Sequence, residues 1–216
     1  MRIRIWILMI LGILAGPLKA QNIGDVTAWS GISTFGLSFE GGYQMTPDWR
    51  ARAGWMGGLQ LNETQMESGN SYDIDAALGA MTMIVDYSPV DADWRISGGL
   101  VFSKTSIETT ISGTASNPIE YDGQSFDSGT ATSIAEFNRT AAPLVSVGYD
   151  YPINDEWVLS SEIGAVFVGG FDIEITGDSA ELQAAIDADP DVQNARTDAA
   201  NFAAYPYINM SVGYRF

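Results

Sequence analysis

The chain has 216 residues, with 10 Lys+Arg against 27 Asp+Glu and neither His nor Cys. Without those two residue types it cannot form a disulfide, a thiolate nucleophile, an iron–sulfur cluster, a Ser-His-Asp triad or an imidazole-ligated metal or haem. A net charge of −17 offers no basic face to nucleic acid, and 17% charged residues is low against the roughly 25% of soluble domains.

Residues 1–20 begin with Arg2 and Arg4, run through apolar residues from Ile5 to Ala15 and end Pro17-Leu18-Lys19-Ala20. A basic start, a short apolar stretch and a small final residue have the form of a cleaved secretory signal peptide. The apolar run falls short of the about 20 residues that a membrane helix needs. Removing residues 1–20 takes away three of the 10 basic residues (Arg2, Arg4, Lys19). Seven then face 27 acidic ones, a balance of −20 for residues 21–216, which are read as one domain.

From there on, segments of about ten residues alternate apolar with small or polar side chains, the period of a strand with two unlike faces. Asp25 to Ser30, with Val26 and Trp29 and a turn near Gly31, is a short first candidate. Phe35, Leu37, Phe39 and Tyr43 share a face opposite Ser38, Glu40 and Gly42. Trp49, Ala51, Ala53, Trp55 and Leu59 oppose Arg50, Arg52 and Gly54. In the next segment Ile74, Ala76, Leu78, Ala80 and Ile84 form the apolar face, although Met81, Met83 and Val85 blur the other. Trp94, Ile96, Leu100 and Phe102 alternate with Arg95, Ser97 and Gly99. Val145, Val147, Tyr149 and Tyr151 alternate with Ser146, Gly148 and Asp150. Trp157, Leu159, Ile163, Phe167, Phe171 and Ile173 alternate with Ser160, Glu162 and Asp172. Ile208, Met210, Val212, Tyr214 and Phe216 close the chain against Asn209, Ser211, Gly213 and Arg215.

The connections alternate too. Met45–Asp48, Ser88–Asp93 and Pro152–Glu156 read as tight turns, whereas Asn62–Ser71, Glu108–Thr140 and Thr176–Asn201 are long, polar and acidic. Aromatic residues bracket each short turn: Tyr43 and Trp49, Tyr87 and Trp94, Tyr151 and Trp157. Short turns at one end, long loops at the other and an aromatic girdle predict an all-β fold, a transmembrane antiparallel up-and-down β-barrel of about eight strands. A soluble sandwich or lipocalin-like barrel would carry many Lys, Glu and Asp on the polar face, and here that face is mostly Gly, Ser and Thr. Seven strands are firm and an even number is required, so Asp25–Ser30 supplies the eighth, with Ser128–Phe137 as the competing place.

The last segment, Tyr205-Pro-Tyr-Ile-Asn-Met-Ser-Val-Gly-Tyr-Arg-Phe216, looks like the C-terminal strand recognised by the bacterial barrel-assembly machinery, with Tyr214 and Phe216 as its signal. Together with Thr34-Phe-Gly-Leu-Ser-Phe-Glu-Gly-Gly-Tyr43, Val85-Asp-Tyr-Ser-Pro89, Trp94-Arg-Ile-Ser-Gly-Gly-Leu100 and Ala142-Pro-Leu-Val-Ser-Val-Gly148, it makes the chain resemble small outer-membrane β-barrel proteins of Gram-negative bacteria. They are of the broad OmpA/OmpW-like porin-superfamily type, and the chain is most similar to a group without an assigned activity. The resemblance implies an outer-membrane location, with outer-membrane lipid and lipopolysaccharide around the barrel. It fixes architecture more than function. Barrel enzymes of this type, namely palmitoyl transferases, deacylases and omptin proteases, rely on a His that this chain lacks, so the reading is not an enzyme, with no catalytic residue, no cofactor and no resident metal.

Inward positions gather Glu40, Asp150, Glu162 and Asp172 with Arg50, Arg52, Arg95 and Arg215, and such charges must pair in a low-dielectric lumen. Pairing Tyr43 with Trp49 places Glu40 opposite Arg52; pairing Tyr151 with Trp157 places Ser146 opposite Glu162 and Asp150 opposite Val158. This network is either a plug, since eight strands leave just enough room for side chains, or the gate of a narrow channel for small or hydrophobic solutes. In the last long loop Ser179–Ile186 reads as a short helix, and Asp189-Pro190 as the N-cap and first residue of a second. Asp187, Asp189 and Asp191 could ligate Ca²⁺, but the glycine and distal glutamate of a calcium loop are missing, so a solvated acidic loop is the stronger reading. The role expected is structural or interactive, with acidic loops displayed outside.

Overall fold

The computed structural model describes residues 23–67, 70–89, 92–103 and 105–216. The signal peptide expected over residues 1–20 lies outside them. Alternation becomes burial along each strand: in Gly36–Gln44 every second residue is buried and the residues between are exposed. The strands are β1 (Val26–Ser33), β2 (Gly36–Gln44), β3 (Trp49–Glu67), β4 (Asn70–Tyr87), β5 (Trp94–Ser103), β6 (Ser106–Ser112), β7 (Ile119–Tyr121), β8 (Gln124–Phe126), β9 (Thr130–Phe137), β10 (Ala141–Pro152), β11 (Trp157–Val166), β12 (Phe171–Gly177) and β13 (Tyr205–Arg215). Helices α1 (Ala180–Ala188) and α2 (Pro190–Ala200) lie between the last two strands.

Antiparallel pairing runs β1-β2-β3-β4-β5-β10-β11-β13 and returns to β1, which closes an eight-stranded barrel. The short first candidate is real and longer than expected. β1 seals the barrel by pairing Thr27 with Arg215 through Ser33 with Asn209. The competing segment is also a strand, β9, but it stands above the barrel.

All three short turns lie at one end with the two chain ends of the barrel. Two are built alike. The Met45 N–H donates to the Trp49 carbonyl and the Ile153 N–H to that of Trp157, at 2.9 and 2.8 Å. Thr46 Oγ1 accepts from the Asp48 and Trp49 amides, and Asn154 Oδ1 from Glu156 and Trp157. Each turn therefore closes with Met45 opposite Trp49 and Ile153 opposite Trp157, and both registers shift by two residues from the expected pairings. Tyr43 faces Ala51 and Glu40 faces Gly54; Tyr151 faces Leu159, Gly148 faces Glu162 and Asp150 faces Ser160. An even shift keeps every side chain on its face.

Facing differs from expectation in two places. On β4 the outward residues are Met81, Met83, Val85 and Tyr87, while Ala80, Thr82, Ile84 and Asp86 point inward. Both faces of this strand are apolar enough to hide the choice, and the girdle position of Tyr87 decides it. Phe35 belongs to the β1–β2 turn rather than to the outer face. Its amide donates to Ser33 Oγ at 3.1 Å, and its ring drops into the lumen, fully buried.

At the loop end half of the wall continues upward. β6 pairs with the upper part of β4, β9 with β6 and β12 with β9, each a prolongation of β5, β10 and β11 respectively. With the upper parts of β3 and β4 they form a half-pipe above a barrel whose β13, β1 and β2 stop short. A bulge at Gly57-Gly58, where Gly58 has φ +78°, shifts the β3–β4 register as the strands leave the barrel. Ile119, Ala131, Leu182, Ile186 and Val192 form a separate apolar core that fixes α1, α2 and the β7–β8 hairpin to the inner face of the half-pipe.

Candidate functional site

Inside the barrel the interior has two layers. Nearer the turns is a polar layer made by β2, β3, β4, β5, β10 and β11. Asp86 is its hub. Its Oδ2 accepts from Arg50 Nε and Arg52 Nε, each at 2.8 Å, and its Oδ1 from Ser97 Oγ at 2.7 Å and Arg52 Nη2 at 3.0 Å. Arg52 also binds Glu40 at 3.1 Å and Glu162 at 2.9 Å. Arg50 reaches Asp150 at 3.0 Å, and Arg95 pairs with Asp150 and, at 2.9 Å, with Glu162. Serines add bonds to two of the carboxylates: Ser146 donates to Glu162 at 2.5 Å and Ser160 to Asp150 at 2.7 Å. Asn209 donates to Glu40 at 3.1 Å while accepting from Ser38 at 3.0 Å. Such bonding makes buried charge tolerable, because an unpaired ion there would cost several kcal/mol.

Small residues make the room. A Cβ on Gly148 would lie 2.4 Å from Arg95 Cζ. Trp29 points into the lumen between Gly42 and Gly213, beneath the Arg50 guanidinium at 4.8 Å from its ring. Above the polar layer, Met56, Ile84, Val101, Leu144, Val166, Val168 and Tyr207 fill the lumen with packed apolar side chains. Phe35, Phe137 and Tyr205 cap it with ring centroids 5.2–6.4 Å apart.

Of the expected network, Glu40, Arg50, Arg52, Arg95, Asp150 and Glu162 stand together. Two residues do not. Asp172 lies on β12, where it is solvent-exposed on the outer face of the half-pipe, because the β11 alternation breaks at 167–170 before it. Arg215 sits half-buried at the turn end and forms no ion pair within 4.0 Å among the described residues. Asp86 was not expected. It follows Val85 and precedes Tyr87, so once Tyr87 is placed in the girdle Asp86 must face inward.

On the outside, the turn-end aromatics Tyr43, Trp49, Tyr87, Trp94, Tyr149, Tyr151, Trp157 and Phe216 are all exposed, with Trp49 and Tyr87 paired at 4.9 Å and Trp157 against Tyr214 at 5.1 Å. Between the ends Met83, Val85, Ile96, Leu100, Val145, Val147, Ile163, Met210 and Val212 form a continuous exposed apolar belt. Soluble monomers rarely expose apolar patches beyond a few hundred Å². In the last loop, Asp189 caps α2, its Oδ1 accepting from Asp191 at 2.8 Å and Val192 at 3.3 Å while its Oδ2 accepts the Asp122 amide at 2.7 Å. The Asp187 side chain accepts from Gln183 at 3.1 Å. These are helix-capping and bracing roles.

A closed barrel with a filled interior, an apolar belt and an aromatic girdle is the architecture of a transmembrane β-barrel. Its fold is that of a CarO-like outer-membrane barrel. The crystal structure of Acinetobacter baumannii CarO2 matches with a TM-score of 0.63 over 91% of this chain and 100% of that one, at 18% identity. A. baumannii CarO matches at 0.62 over 92% and 100%, at 15% identity. No protein-family model and no curated protein sequence matches this chain.

Proposed function

We propose that the chain is an integral outer-membrane protein with a structural and interactive role: a plugged barrel that anchors an acidic, half-pipe-shaped display at the cell surface. The filled lumen carries this reading. From the turns to the loops it passes from paired charges to packed apolar side chains and then to an aromatic cap, the filling expected of a plug. The belt and girdle support the membrane location. Among the described residues no helix is long and apolar enough to cross a membrane, so the strands carry the crossing.

The display is acidic by construction. Asp73, Asp75, Glu108, Glu136, Asp172 and Glu174 are exposed on the outer face of the half-pipe. Asp75 sits directly opposite Glu108, and Glu136 opposite Asp172. Like charges opposed across strands repel, and divalent ions shared with anionic lipopolysaccharide would relieve them. Tyr214, half-exposed on the last strand, and the exposed Phe216 that follows it suit capture by the barrel-assembly machinery during biogenesis. No catalysis is part of this role: all four lumen carboxylates are bound to arginines, and the chain lacks the His used by barrel enzymes.

Purified, folded protein in planar bilayers tests the reading. The expected result is a bilayer without steady single-channel openings. Steady openings that Glu40→Ala enlarges would overturn the plug and establish a narrow channel for small or hydrophobic solutes.

A further inference from the structure

The half-pipe is hollow on one side. Between its inner face and the β7–β8 hairpin lies a half-open cavity of about 460 Å³, within the roughly 300–1,000 Å³ typical of small-molecule sites. Tyr72, Thr109, Ile111 and Ser133 line it from β4, β6 and β9, and Glu120 and Tyr121 from the hairpin. It is separate from the lumen, whose aromatic cap lies below it.

Three observations define what fits. The walls mix aliphatic side chains with hydroxyls, so a ligand needs an apolar body and finds a few directed hydrogen bonds. The charge around the cavity is of one sign. Glu120 lines it, Asp189 stands beside Tyr121 through its bond to the Asp122 amide, and no Lys or Arg is among the lining residues. Arg196 in α2, on the last loop, is paired with Asp187 at 3.7 Å. Finally, the site is held in shape: the core of Ile119, Leu182 and Ile186 and the Asp189 brace fix the hairpin over the half-pipe, so little ordering is left to the ligand. Burial and the nearby Asp189 push the Tyr121 phenol up, which keeps its proton available for donation.

We propose that this cavity binds a small organic cation with an apolar body, its cationic head toward Glu120 and the tyrosines and its body against Ile111. Tyrosine faces and one carboxylate are the groups that attract such a head, and anions meet only repulsion. The inference goes beyond the structural role above and holds whether or not the lumen conducts.

The full chain, folded in detergent, would be titrated calorimetrically with benzyltrimethylammonium, with benzyl alcohol as the neutral counterpart and benzenesulfonate as the anionic one. Saturable binding is expected in that order, with no heat from the sulfonate. Thr109→Trp, which fills the cavity from β6, should abolish binding while the folded protein keeps its heat-modifiable gel migration. Glu120→Gln, an exposed change, should weaken the cation about threefold, the scale of an exposed ion pair, and leave benzyl alcohol unchanged. Absence of saturable cation binding, binding indifferent to Thr109→Trp, or benzenesulfonate binding as well as the cation would each overturn the proposal.

Discussion

Asp86 shows how one carboxylate organises the lumen. It is 1% exposed, bonded by Arg50, Arg52 and Ser97, with Arg95 at 3.8 Å. Removing its charge leaves guanidiniums buried with too little compensation, which costs more than the pair itself is worth. Asp86→Asn should therefore lower stability by about 3–5 kcal/mol, read as the urea midpoint of the folded gel band. Asp172→Asn, at an exposed position, should leave that midpoint unchanged. Equal midpoints for the two variants would show that the network is dispensable. The sequence carried part of this site openly, because Arg50, Arg52, Glu40 and Glu162 interrupt clean apolar alternations. Asp86 was hidden by Met81, Met83 and Val85 on one face and Ile84 on the other, and only the girdle position of Tyr87 separates them. Trp29 was hidden in the opposite way. An apolar ring belongs on the lipid face by pattern, and it points inward because Gly42 and Gly213 leave it a slot.

At the scale of elements, the two helices of the last loop follow from local rules visible in the sequence. Ser179 accepts the Leu182 amide to start α1, and Asp189 with Pro190 starts α2. What local rules do not reveal is that Asp189 also accepts the Asp122 amide, 67 residues away, and so braces the hairpin. The continuation of β5, β10 and β11 into β6, β9 and β12 is long-range in the same sense. Loops 108–140 and 176–201 read as polar and acidic because the exposed faces of those strands are, and the apolar inner faces lack a partner until the hairpin and helices cover them. The amide bonds from Asp122, then Asp191 and Val192, hold the Asp189 carboxyl below the usual carboxylate range. A carboxyl with a depressed folded-state value stabilises the fold above its unfolded value and loses that contribution as pH falls through the folded one. Protection of the Asp122, Asp191 and Val192 amides, their exchange measured against each amide's intrinsic rate at the same pH, should therefore be high at neutral pH and fall away only below the usual carboxylate range. Asp189→Asn keeps the capping oxygen and should flatten the response. Protection of these amides in the native chain that stays the same from neutrality into the acid range would rule out the brace.

For the whole molecule, the deciding question is which solvent meets the belt. The closed wall leaves no strand edge in the eight-stranded ring, so its backbone ladders are paired within the protein whatever surrounds them. The two layers of the lumen supply the core. The belt is thus free to be apolar, and its side chains are stable only if lipid covers them. Val147 tests this directly. It lies on β10 opposite Ile96 and Ile163, 52% exposed, its side chain on the face away from the lumen network. In water, an arginine at such an exposed position changes stability by no more than about 0.5 kcal/mol. Near the middle of a bilayer it costs about 2–4 kcal/mol. Val147→Arg should therefore lower the stability of protein folded into phosphatidylcholine vesicles by the larger amount. Asp75→Arg, on the outer face of the half-pipe, should leave it nearly unchanged or raise it slightly by relieving the repulsion with Glu108. If the two substitutions proved equally mild in vesicles, the belt would not be the lipid-facing surface and the membrane reading of the barrel would fall with it.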